Sequence, residues 1–111
     1  MNAVILAIAA AIAAPSAADW EAAQYHYDLA SAARAKVDFL ELSHGPGLME
    51  YDRAGFRALS NYALGIGSPR DMREQTDLPE DFENRCKVAV AVWKFALELE
   101  RAYPVNYAHP N

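Results

Sequence analysis

The sequence predicts an all-α fold: a small three- to four-helix bundle packed around a central C-terminal helix and preceded by an N-terminal apolar segment. Three observations carry this. Apolar residues recur at i, i+3/4 and i+7 along three long stretches, with no sustained period-two alternation of the kind a half-buried strand shows. Glycine- and proline-bearing breakers separate the stretches. The 111 residues are 53 % hydrophobic and 23 % charged, a balance that supports one packed core and no more than one domain.

The first eighteen residues stand apart, because none has an ionisable side chain and all ten Lys/Arg lie at Arg34 or beyond. Their apolar run, 3–14, would span about 18 Å as a helix, against about 30 Å of bilayer hydrocarbon. That length suits the apolar centre of a signal peptide. Pro15 ends it, and Ser16 and Ala18 fit the small-residue positions of a cleavage site that would leave Asp19 first, with cleavage after Ala17 as the near alternative. No Lys or Arg precedes the run, so the competing expectation is an apolar helix that is retained. Export would place the chain in the periplasm or outside the cell of a bacterium; retention would place it in the cytoplasm or within a larger assembly.

The first helix of the domain is expected over 19–42, with Asp19 as N-cap and Ala22, Tyr25, Leu29, Ala33, Val37 and Leu40 on its apolar face. Ser43-His44-Gly45-Pro46-Gly47 stops it. A second helix is expected over 48–64 with Leu48, Tyr51, Gly55, Leu59, Tyr62 and Ile66 inward, Gly55 marking a close helix crossing. Ser68-Pro69-Arg70-Asp71 resembles a helix start and predicts a short element to about residue 75. Asp77, with Glu80 three residues on, reads as the cap of the last helix, 78–102. That helix carries two apolar stripes, Phe82, Cys86, Ala89, Trp93, Ala96/Leu97 and Val88, Val92, Phe95, Leu99, which together predict contact on several sides. Pro104 ends it and a short extended tail, 104–111, follows.

Several function classes are excluded by composition. The net charge of −5 is the wrong sign for a general nucleic-acid binder. One cysteine excludes a disulfide framework, a Cys₄ zinc site and a C-x-x-C pair. No dinucleotide, P-loop, zinc-protease or EF-hand pattern occurs.

The residues that could carry chemistry are scattered. His26 is expected as a half-buried bundle histidine, since it has no ligand partner at i+3 or i+4 and Asp28, two residues on, points to another face. His44 falls in the breaker, exposed near a helix C-terminus. Cys86 lies within an apolar stripe and reads as a core residue. Asp77, Glu80, Asp81 and Glu83 form an acidic run that suits the first turns of a helix or a basic partner. Lys36 and Glu100 fall where apolar residues are expected, each near its helix's C-terminal end; parallel first and last helices would pair them. Most aromatics, Tyr25 and Phe39 among them, are assigned to the core. Trp20 and Tyr27 are assigned to the polar side of the first helix, where exposed aromatics act as interface anchors.

No catalytic, metal or cofactor site is expected. The sequence-level expectation is a non-catalytic, exported protein-binding module of inhibitor, immunity or accessory-subunit type. Its candidate interface is Trp20, Tyr27, His44, Asp77, Glu80, Asp81 and Glu83, and its partner is another protein, without nucleic acid and without a stable transmembrane span. The alternative is a structural subunit of a membrane complex or a virion connector that retains its apolar arm.

Overall fold

The computed structural model describes residues 15–48, 51–67 and 77–105. The apolar run 3–14, the short element expected over 68–75 and the end of the tail lie outside these residues. Among these residues three α-helices, α1 (Ala17–His44), α2 (Arg53–Leu64) and α3 (Phe82–Ala102), pack against one another, and a 3₁₀ turn (Gly45–Gly47) leads out of α1. There is no strand among the described residues.

The N-cap of α1 lies three residues before the expected one. Ser16 is the N-cap: its hydroxyl accepts the Asp19 N–H at 3.1 Å, and the Asp19 carboxylate accepts the Ser16 N–H at 2.9 Å. Asp19 is therefore the third helical residue of a capping box, not the cap. Cleavage after Ala18 would divide that box. At the other end Gly45 takes φ +50°, a left-handed conformation that closes the helix on the Glu41 carbonyl.

The buried side of α1 is Ala23, Ala30, Ala33, Val37 and Leu40. These positions alternate spacings of seven, three and four, the heptad seam of helices that wrap about each other. Tyr25, expected on this face, is 59 % exposed instead. The expected face steps by four residues from Val37 back through Ala33 and Leu29 to Tyr25, whereas the buried seam passes from Ala33 to Ala30 and Ala23, so the two part N-terminal to Ala33.

Helix α2 begins at Arg53 rather than 48. The Asp52 carboxylate accepts the Gly55 N–H at 2.8 Å and so fixes the first turn. A Cβ on Gly55 would collide with that same carboxylate; Gly55 serves the cap rather than a helix crossing. The buried residues are Phe56, Ser60 and Ala63, one position away from the expected face, and Leu59 is 49 % exposed. Phe56 is the bulkiest apolar side chain of the element and turns the helix toward the Phe95 ring, 5.4 Å away. Buried Ser60 donates to the Phe56 carbonyl at 2.8 Å.

Helix α3 begins at Phe82, not 78, because the Asp81 carboxylate is drawn off to Tyr62 and Arg85 and a turn from Pro79 precedes the helix. Asp77 and Glu80 therefore lie ahead of the first turn, which holds only Glu83 among the four acids. Its buried residues, Ala89, Val92, Ala96 and Leu99, take alternate members of the two expected stripes. Lys87, Ala91, Lys94, Glu98 and Arg101 face solvent, so α3 is one wall of a three-helix core rather than an enclosed axle.

Side-chain pairs set the helix directions. Arg34 meets Asn61 while Asp38 meets Arg57, so α1 and α2 run antiparallel. Phe56 meets Phe95 while Tyr62 meets Asp81, so α2 and α3 do too. Helices α1 and α3 are thus parallel, and four buried alanines, Ala30, Ala33, Ala89 and Ala96, line the core they share. Small side chains at such positions let two backbones approach closely.

Candidate functional site

Parallel α1 and α3 bring Lys36 and Glu100 together. Lys36 Nζ lies 2.8 Å from Glu100 Oε2 and 5.8 Å from the centre of the Trp93 ring. Both side chains are about a quarter exposed, so the pair is screened and its worth is small. A double-mutant cycle with Lys36→Ala and Glu100→Ala is expected to give a coupling of about 0.5–1 kcal/mol in urea melts. Additivity of the two changes would show that the pair contributes nothing.

His44 is the last residue of α1, not part of the loop, and it is half-buried. Its Nε2 donates to the Tyr103 carbonyl at 2.9 Å, and the two rings stack edge to face. This tethers the C-terminal ends of the two parallel helices. His26 is also half-buried, with its Nδ1 2.8 Å from the Ala22 carbonyl of its own helix. Among the described residues no group of three His, Cys, Asp or Glu side chains could hold a metal ion. Cys86 is half-buried; burial, with the nearby Glu83 charge, pushes its thiol pKa up and leaves it a poor nucleophile.

Two polar nodes join the helices. At one, the Tyr51 hydroxyl donates to Glu41, which also pairs with Arg53 at 3.1 Å. Burial and the Glu41 carboxylate push the Tyr51 hydroxyl from 10 up to about 12. A raised pKa means that the folded state holds the proton more tightly. The resulting stability is present below about pH 10 and is lost as pH rises through about 12. Alkaline urea melts are expected to show a loss of stability over that window that is absent in Tyr51→Phe.

At the other node, Tyr62 Oη donates to Asp81 at 2.6 Å and accepts from Asn84 at 2.8 Å. Arg85 pairs with Asp81 at 2.7 Å, donates to the Tyr62 carbonyl at 2.6 Å and lies 4.3 Å over the Tyr62 ring. Asp81 is thus engaged within the bundle, whereas Asp77, Glu80 and Glu83 are exposed. Trp20 and Tyr27, expected as exposed anchors, are half-buried, because they lie on the flank of α1 rather than on its outermost side.

The outermost side of α1 carries what the sequence reading assigned elsewhere. Tyr25, Ala32, Ala35, Phe39 and Leu42 are all exposed, Phe39 at 41 % and Leu42 at 84 %. With Asp28 they form a second heptad row; each of the five lies two residues after a seam position and so about 200° round the helix from the core, and Asp28 lies two before Ala30. The signal was available: one helix with two heptad rows on opposite sides has one row too many for a single core. A separate apolar cleft of about 190 Å³ opens between α2 and α3, lined by Asp52, Gly55, Phe56, Leu59, Ala91, Val92 and Phe95.

The chain matches no family model, no curated protein and no solved structure. Among the described residues no helix is long and apolar enough to cross a membrane.

Proposed function

We propose that this is an exported, non-catalytic protein-binding module that docks its partner on the outer side of α1. The observation that carries the docking is the second heptad row. Tyr25 and Leu42 are large apolar side chains exposed to water at the spacing helices use to pair, and α1 itself is held by its inner seam. Rigid aromatic and aliphatic anchors on a fixed helix are a low-entropy way to bind another protein. Export is supported by the charge-free run before Asp19.

Both halves can be tested in cells that make the full chain. A photo-crosslinking amino acid at Ala35, on the outer row, is expected to capture a different polypeptide, while the same group at Lys94, on the exposed face of α3, does not. Adducts only within one chain or between copies, or none, would overturn the docking. N-terminal sequencing is expected to begin at Ala18 or Asp19; a chain that begins at Met1 would overturn export.

A further inference from the structure

The charges of α1 narrow the partner further; this step rests on the docking reading above. The helix holds five carboxylates and two Lys/Arg. Both cations turn away from the outer row: Arg34 donates to Asn61 at 2.6 Å, and Lys36 is held by Glu100. Two carboxylates are engaged with α2 and the link before it, Glu41 with Tyr51 and Arg53, and Asp38 with Arg57 at 3.4 Å, and Asp19 bonds Ser16 in the cap of the uncleaved chain. Glu21 and Asp28 remain, both exposed, and among the described residues neither is in an ion pair. Asp28 accepts only a hydrogen bond from Gln24, at 2.9 Å, and it occupies the row itself, between Tyr25 and Ala32.

The face is therefore apolar and anionic, with no outward cation. A second copy of the chain would bring no unengaged Lys or Arg of its own α1 to meet Glu21 and Asp28. An anionic lipid surface would be repelled. A helix with an apolar stripe flanked by Lys or Arg meets both features at once. Its stripe covers Tyr25 and Leu42, the small Ala32 and Ala35 admit its backbone, and its cations meet Glu21 and Asp28. From Tyr25 to Leu42 the row runs about 26 Å, close to five helical turns.

We infer that the outer face of α1 takes a cationic amphipathic helix of about five turns, supplied by a partner protein. The test uses the full-length chain and two labelled probe peptides of about 18 residues, one of Leu and Lys and one of Leu and Glu with the same apolar stripe. Fluorescence anisotropy is expected to show saturable binding of the Leu/Lys peptide only. The double variant Glu21→Lys/Asp28→Lys should weaken it about tenfold and gain the Leu/Glu peptide. Leu42→Ser should also weaken it about tenfold. Reversal at the other acidic run, Asp77→Lys/Glu83→Lys, and Leu59→Ser at the α2–α3 cleft should leave it unchanged.

Equal loss with the Asp77/Glu83 reversal would reduce the effect to bulk charge and overturn the inference. Equal binding of both peptides, lost in Leu42→Ser, would overturn the cationic specificity and leave the docking face standing. Binding of neither peptide, or concentration-dependent pairing of the chain that Leu42→Ser abolishes, would overturn it as well. The crosslink at Ala35 decides the docking reading separately.

Discussion

Leu40→Ala is expected to destabilise the bundle by about 3 kcal/mol, seen as a lower urea midpoint at unchanged slope. Leu40 is fully buried and among the largest side chains that are, in a core otherwise rich in alanine. Its neighbours on the seam are Val37 and Ala33, held on a helix that cannot collapse into the gap without breaking register with α3. The cost is therefore the lost transfer energy plus a cavity that relaxes only in part. A domain of this size has about 5–15 kcal/mol in hand, so the change removes a large share. Leu42→Ala is the internal control: the same substitution two residues on, at a side chain 84 % exposed, is expected to cost less than about 0.5 kcal/mol. Similar losses at both positions would mean that the seam and the outer row have been assigned to the wrong sides of α1.

Arg85→Ala is expected to cost about 2 kcal/mol, because one guanidinium does three things. It gives the Tyr62 carbonyl, in the last turn of α2, a second donor beside the Gly65 N–H; it covers the Tyr62 ring; and it pairs with Asp81. Helices α2 and α3 are joined there by this node. The same substitution has an acid signature. The Tyr62 hydroxyl and then Arg85 hold the Asp81 carboxyl below the usual carboxylate range. A depressed pKa contributes stability above the ordinary carboxylate pKa, and that contribution is lost as pH falls through the folded value. Wild type and Asp81→Asn should therefore differ at neutral pH and converge in acid. In Arg85→Ala the Asp81 carboxyl carbon, followed by NMR, should titrate closer to the ordinary range. An unshifted titration would show that Arg85 does not hold the carboxylate.

The limits of the sequence show at particular residues. Periodicity indicated three helices and their breakers, yet at Tyr25 and Leu59 it pointed to the wrong side of the helix. At Leu59 the error is one residue from buried Ser60, about 100° of rotation; at Tyr25, two residues after buried Ala23, it is about 200°. Periodicity gives an apolar direction, but which of two adjacent apolar rows meets a neighbour depends on how the helices wrap. Helix starts were displaced for a related reason. Asp19 and Asp77 are good caps by type, but Ser16 and Asp52 hold the first turns of α1 and α2, and Asp81 precedes α3 with its carboxylate spent on a residue far away in sequence. Lys36 and Glu100 stood out because charges break an apolar pattern, and their positions near two helix ends suggested the pairing. Nothing local suggested the Tyr62–Asp81–Arg85 node, whose members lie up to 23 residues apart.

The chain by itself determined that it is helical, where its helices break, and that it is acidic, because these follow from spacing, glycine and proline, and a count of charges. Only the tertiary structure decided that α1 and α3 run parallel, that the two Lys/Arg of α1 are engaged by α2 and α3, and that its outer row faces away from the core. Those outcomes depend on which faces three rigid rods can bury together, and no single rod carries that information.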